Sequence, residues 1–144
     1  MIELTIKGKP LAKQSARFAA FDKSGNRKMH SYQKKYLKDY ANNAKIQILA
    51  QLPTGFKMFE KPVSITYRFV YAYTSDISKK NREFGLFRYK RPDIDNLQKN
   101  INDILNDLVI ADDALIVRIA ATKEYADKAR TILEIEEFDE ILCI

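Results

Sequence analysis

The chain has 144 residues, 46% of them apolar, with four Gly and four Pro, which suits one compact domain over 1–144 with a core of its own. No run approaches the roughly 18 to 20 apolar residues of a membrane span, and the start MIELTIKGKP has no hydrophobic leader, so a cytoplasmic protein is expected. The net charge of +6 hides an asymmetry: residues 1–92 carry 20 Lys/Arg against 6 Asp/Glu (+14), and residues 93–144 carry 5 against 13 (−8). The basic part calls for an anionic partner, of which nucleic acid is the commonest; a merely solvated surface is the plain alternative. The single cysteine, Cys143, and single histidine, His30, exclude an internal disulfide and argue against a zinc site.

In chain order, Ile2, Leu4 and Ile6 alternate with polar residues, the period of a half-buried strand closed by Gly8 and Pro10. Residues 16–31 suit a hairpin around DKSGN, where Gly25 and Asn26 tolerate a tight turn. From Ser31 to about Gln51, Leu37, Tyr40, Ala41, Ala44 and Ile48 recur at helical spacing. LPTG breaks that helix, and 62–74 predicts a strand with Val63, Ile65, Tyr67, Phe69 and Tyr71 on one face. Residues 75–91 have six basic side chains against two acidic ones and little apolar period, which predicts a long surface loop. Ile94, Leu97, Ile101, Ile104, Leu105 and Leu108 then form the stripe of a second helix, and 113–122 and 129–138 alternate as two strands. The expectation is an α+β fold: two helices on a mostly antiparallel or mixed sheet, with long basic loops.

The acids around the second helix need an explanation of their own. On its wheel Asp95, Lys99, Asn102 and Asp103 lie opposite the apolar stripe. Asp95 three residues before Gln98 resembles a capping box, and acids favour a helix N-terminus, so capping explains one carboxylate. Asp93 is then surplus. Asp112 and Asp113 suit the turn before a strand, yet that strand also brings them back toward the helix. Carboxylates gathered in this way repel one another unless a divalent cation lies between them, and hard oxygen donors favour Mg²⁺ or Mn²⁺. Beside a polycationic loop, such a cluster suggests metal-assisted phosphodiester chemistry. There is no phosphate loop, no H-E-x-x-H and no second histidine for an acid–base pair, and no nucleotide cofactor is expected.

The block R-P-D-I-D-N-L-Q-K from Arg91 to Lys99, followed by D-D-A at Asp112, resembles the RusA family of Holliday junction resolvases, whose active sites carry R-x-D-x-D-N-x-x-K and a downstream D-D. The likeness is densest over 91–118 and extends more weakly to I-K-G-K-P, Lys13 and Arg17. It implies a Mg²⁺-dependent endonuclease, with Mn²⁺ as a substitute, that cuts four-way or branched DNA as a homodimer in recombination and repair. It also implies Asp93, Asp95 and Asp113 as metal-binding and catalytic acids, Asp112 as an accessory ligand and Lys99 as the catalytic lysine. Phosphate contacts are expected from Lys79, Lys80, Arg82, Arg88, Lys90 and Arg91 on one side and Lys13, Arg17, Arg27 and Lys28 on the other. The first strand, the first helix and the region from Phe84 to Phe87 are candidates for the dimer interface. A flap or fork nuclease of the same family, or a noncatalytic nucleic-acid-binding protein, would fit the same charges.

Overall fold

The computed structural model describes residues 1–13, 35–84 and 86–138. The expected hairpin at 16–31, His30, Cys143 and the basic residues Arg17, Arg27 and Lys28 lie outside the described residues.

Four strands and two helices make up the fold: β1 (Ile2–Lys7), α1 (Lys35–Gln51), β2 (Val63–Ala72), α2 (Ile94–Leu105), β3 (Ile116–Ala126) and β4 (Arg130–Glu137). Short 3₁₀ turns occupy Lys79–Phe84 and Asp113–Leu115. The sheet order is β1-β4-β2-β3, with β4 antiparallel to both β1 and β2 and with β3 parallel to β2. The α+β expectation holds, and the sheet is mixed because α2 is the crossover between two parallel strands. β3 and β4 follow each other in sequence without pairing; they flank β2 on its two sides.

Alternation along β2 builds the core. Ile65, Tyr67, Phe69 and Tyr71 share one face with Leu4 and Ile6 of β1 and Leu133 and Ile135 of β4, and pack with Ala44 and Ile48 of α1 and Leu97, Ile101, Ile104 and Leu105 of α2. Each large aliphatic side chain buried in this way contributes about 1.5–3 kcal/mol. Burial of one stripe of α2 leaves Asp95, Lys99 and Asp103 exposed on the other.

Several details differ from the sequence reading. α2 stops at Leu105, before Leu108, because Asp107 takes a positive φ of 59° and the Leu105 carbonyl accepts from Leu108, Val109 and Ile110 in a tight turn that buries Val109 and Ile110. β3 starts at Ile116, after a 3₁₀ turn capped by Asp112. The loop over 75–91 is not all free surface: Phe87 bridges Glu124 in antiparallel fashion, and Arg88 N donates to Lys123 O at 2.8 Å while Tyr125 N donates to Leu86 O at 2.9 Å.

The outer edge of β1 is closed by α1. Gln51 Oε1 accepts from Thr5 N at 2.8 Å, Gln51 Nε2 donates to Thr5 O at 2.7 Å, and Gln47 Oε1 accepts from Lys7 N at 2.8 Å. An edge strand that would otherwise offer unpaired backbone groups is thereby blunted.

Candidate active site

The first pair of acids sits at the start of α2. Asp93 occupies the N-cap position with extended backbone (φ −71°, ψ 143°), but its side chain makes no capping hydrogen bond; its carbonyl accepts from Leu97 N at 3.2 Å. Asp95 lies in the first turn. Both carboxylates are exposed. The capping box expected from Asp95 and Gln98 therefore does not form, since the helix begins one residue before Asp95.

What fixes the backbone here is a set of side chains on neighbouring elements. Lys123 Nζ, from β3, donates to Lys90 O and to Pro92 O, both at 2.9 Å. An Arg88 guanidinium nitrogen donates to Arg91 O at 2.7 Å, while the guanidinium carbon stands 4.2 Å from the Tyr71 ring centroid and 5.8 Å from that of Tyr125. The carbonyls of residues 90, 91 and 92 are thus held by two cations before the chain reaches Asp93.

The second pair follows α2. Asp112 caps the 3₁₀ turn, its carboxylate accepting from Ala114 N at 2.9 Å. That bond, and a second hydrogen bond with Asp113, hold the Asp112 carboxyl below its usual range. Asp113 is pushed the other way, first by its hydrogen bond to Asp112, which needs a proton on Asp113, and then by partial desolvation and the charges of Asp112 and Asp103. Asp113 also acts on Tyr67, whose hydroxyl donates to Asn102 Oδ1 at 2.5 Å and is raised chiefly by burial.

The turn that carries Asp113 packs on α2, and among the acids of that helix it is Asp103, in a later turn, whose charge acts on Asp113. Asp103 lies two helical turns after Asp95, about 12 Å along the axis. Asp103 in turn pairs with Lys13, whose segment runs along α2 through Lys13 N to Asn96 O (3.1 Å) and Asn100 Nδ2 to Leu11 O (3.0 Å). Among the described residues no three His, Cys, Asp or Glu side chains stand together closely enough to hold a metal ion as they lie. The donor chemistry nevertheless fits a hard divalent cation: every acid is a carboxylate, and the charges of Asp112 and Asp103, which add to the rise of Asp113, are of the kind a cation offsets.

Lys99 is exposed on α2 between Asp95 and Asp103, four residues from each, and forms no ion pair among the described residues. Of the basic side chains expected at phosphates, Lys79, Lys80 and Arg91 are exposed. Lys90 meets Asp76 at 3.2 Å, Arg82 stands 5.1 Å from the Tyr73 ring centroid, and Arg88 is occupied by its two rings and the loop carbonyl. Sequence reading gave Lys123 no role, since the predicted strand stops at residue 122, and gave Asp103 none beyond the polar face.

Comparison with known proteins decides the family. The family model described as Endodeoxyribonuclease RusA matches residues 7–136. The chain belongs to the RusA endodeoxyribonuclease family. This RusA-family chain is similar to the crossover junction endodeoxyribonuclease rusA of Lactococcus phage r1t, 31% identical over 113 residues, covering 76% of this chain and 79% of the phage protein. It is also similar to the uncharacterized protein YqaN of Bacillus subtilis (strain 168), 30% identical over 143 residues, covering 94% of this chain and 96% of that relative. The R-P-D-I-D-N-L-Q-K block of the RusA-family chain is the segment that opens α2. No helix among the described residues is long and apolar enough to cross a membrane.

Proposed function

We propose that this chain is a structure-specific endodeoxyribonuclease that resolves four-way DNA junctions by paired phosphodiester hydrolysis, working as a homodimer in recombination and repair in a prokaryotic cytosol or nucleoid. The observation that carries the reading is the R-P-D-I-D-N-L-Q-K block within a RusA-family match over 7–136, folded so that both of its carboxylates and its lysine face solvent. Asp93, Asp95 and Asp113 would hold a divalent cation, Mg²⁺ with Mn²⁺ as a substitute, with Asp112 as an accessory. Such a cation, when bound, supplies water activation and neutralises charge on the phosphate under attack. Lys99 adds a fixed positive charge for the transition state, in a position where no ion pair among the described residues competes for it. Lys79, Lys80 and Arg91 are free to meet phosphates, and no side chain need become a covalent nucleophile.

Paired cuts on strands of like polarity call for two catalytic clusters related by a two-fold axis, hence the homodimer. Among the regions considered for its interface, the β1 edge is occupied by Gln47 and Gln51, while Ile46 and Leu49 on α1 and Phe87 are exposed. The deciding experiment incubates purified protein with a mobile four-way junction, a fork and a linear duplex, with and without Mg²⁺, and maps the nicks. Symmetric Mg²⁺-dependent nicks at the junction centre are expected. Preference for the fork would assign a branched-DNA nuclease instead, and binding without cleavage would leave a noncatalytic DNA-binding protein.

A further inference from the structure

We infer that Lys123 is a positioning residue for the Asp93/Asp95 pair: its ammonium, from β3, fixes the backbone from which those carboxylates project and so sets their affinity for a divalent cation. The inference rests on the reading of Asp93 and Asp95 as cation ligands.

The geometry is specific. A lysine on a strand beside an exposed loop ordinarily extends its ammonium into water, because that compact charge is strongly hydrated. Lys123 instead spans two carbonyls of the adjacent loop, Lys90 O and Pro92 O, at 2.9 Å each. The second of these belongs to the residue bonded to Asp93. Its own backbone carbonyl accepts from Arg88 N at 2.8 Å, and Arg88 in turn donates to Arg91 O. Lys123 therefore ties β3 to the loop through both its main chain and its side chain. No backbone N–H among the described residues bonds to the carbonyls of Lys90, Arg91 or Pro92, so the two cations are the partners of that stretch.

β3 also begins directly after the turn that carries Asp112 and Asp113. One strand thus has the second pair of acids at its start and, near its end, the side chain that holds the loop of the first pair. Groups that orient a ligating carboxylate without touching the metal commonly govern affinity about 10- to 100-fold when altered. Lys123 acts in that way through the Pro92 carbonyl. It touches neither carboxylate by any bond seen here, so it should not set the chemical step once the cation is bound.

The test uses the full chain with K123M, which keeps most of the aliphatic stem and removes the donors, with K123R, and with D93N and D95N as controls. Mn²⁺ binding is followed by the EPR signal of the free ion, without DNA. Single-turnover cleavage of a four-way junction is then measured across Mg²⁺ concentration, and metal-free junction affinity is measured separately. K123M should weaken Mn²⁺ binding about tenfold or more, shift the Mg²⁺ dependence of cleavage by the same factor, return to within about threefold of the wild-type rate at saturating Mg²⁺, and leave metal-free affinity unchanged. K123R should fall between K123M and wild type, because the guanidinium keeps donors but displaces them. Should K123M not fold, K123R alone carries the test, with Mn²⁺ binding weakened about threefold or more. Unchanged Mn²⁺ affinity in the Lys123 variants, alongside lost binding in D93N and D95N, overturns the inference and leaves the site standing. Unchanged binding in D93N and D95N as well overturns both.

Discussion

Asp93 and Asp95 are held from outside their own element, whereas Asp112 and Asp113 are organised largely by one another. The first pair follows three carbonyls pinned by Lys123 and Arg88, and its carboxylates make no capping bond at Asp93. The members of the second pair act on one another and shift in opposite directions, Asp112 down through Ala114 N and Asp113 up through Asp112. Tertiary contacts therefore fix the backbone that leads into one pair, while the other is shaped by its own members and its turn. If both pairs serve one reaction, α2 and β3 are the elements that relate them, because each runs between the two.

The largest effect expected is loss of cleavage. Asp93→Asn, Asp95→Asn and Asp113→Asn should each reduce junction cleavage below detection while leaving junction binding intact or stronger, since a negative charge facing DNA is gone. Thermal melting with and without Mg²⁺ sharpens the comparison: mass action should raise the wild-type Tm, and much less that of the three variants. A Mg²⁺ shift lost from the first pair and retained at Asp113 would confine the cation to the start of α2. Near-normal turnover in any of the three at saturating Mg²⁺ removes that residue from the site.

Next in size is Lys99, which stands on α2 between the two pairs. A purely structural lysine here would form an i,i+4 ion pair with Asp95, worth about 0.2–0.5 kcal/mol, and no such pair forms among the described residues. Lys99→Ala should therefore lower single-turnover cleavage about a hundredfold or more, the scale of a lost transition-state donor, with junction affinity barely changed. Arg at this position should rescue only in part. A rate within threefold of wild type would leave catalysis to the carboxylates alone.

Much of this was legible in the sequence for a simple reason: period follows packing. The stripe of α2 buries Leu97, Ile101, Ile104 and Leu105 as its spacing predicts, and β2 buries its alternate residues. Partners distant in the chain were not legible. Nothing local to Gln47 and Gln51 announces that they will close the edge of β1, because that bond depends on how α1 docks. Arg88 reads as one more cation in a basic loop until Tyr71 and Tyr125 come beside it from two strands. The end of α2 was misplaced because Leu108 continues the apolar spacing although the backbone turns at Asp107. Where Asp113 sits relative to α2 depends on the 3₁₀ turn before β3, which packs on the helix and which the sequence did not announce.

A smaller effect is expected at the basic loop that precedes the first pair in the chain. Lys79 and Lys80 are exposed, whereas Arg82 and Arg88 lie against aromatic rings. Neutralising Lys79 and Lys80 together should weaken binding to junction, fork and duplex alike, and lower the slope of log affinity against log salt by about 0.9 per lost phosphate contact. Arg88→Met, by contrast, should lower Tm more than it lowers that slope. An equal slope change from Arg88→Met would show that its guanidinium leaves the rings for DNA.

The smallest effect separates the members of the second pair, and here the sign carries the information. Asp113 has a folded-state pKa raised above its ordinary value, so its charged form is disfavoured by folding: at neutral pH it destabilises, and that penalty disappears as the pH falls through the raised pKa and then the unfolded one. Asp112 is depressed, so it contributes stability above the unfolded carboxylate pKa that is lost as the pH falls through the lower folded value. Without metal at pH 7, Asp113→Asn should therefore raise Tm and Asp112→Asn should lower it, each on the order of 1 °C for such exposed groups. Both differences should shrink toward the carboxylate range, the Asp113 difference first because its pKa is the higher. Saturating Mg²⁺ should reverse the Asp113 result, since the wild type then gains binding energy that the Asn variant cannot. Melting curves from pH 3 to 8, with and without Mg²⁺, check this, and the same sign for both variants in metal-free buffer would show that folding does not shift the two carboxyls in opposite directions.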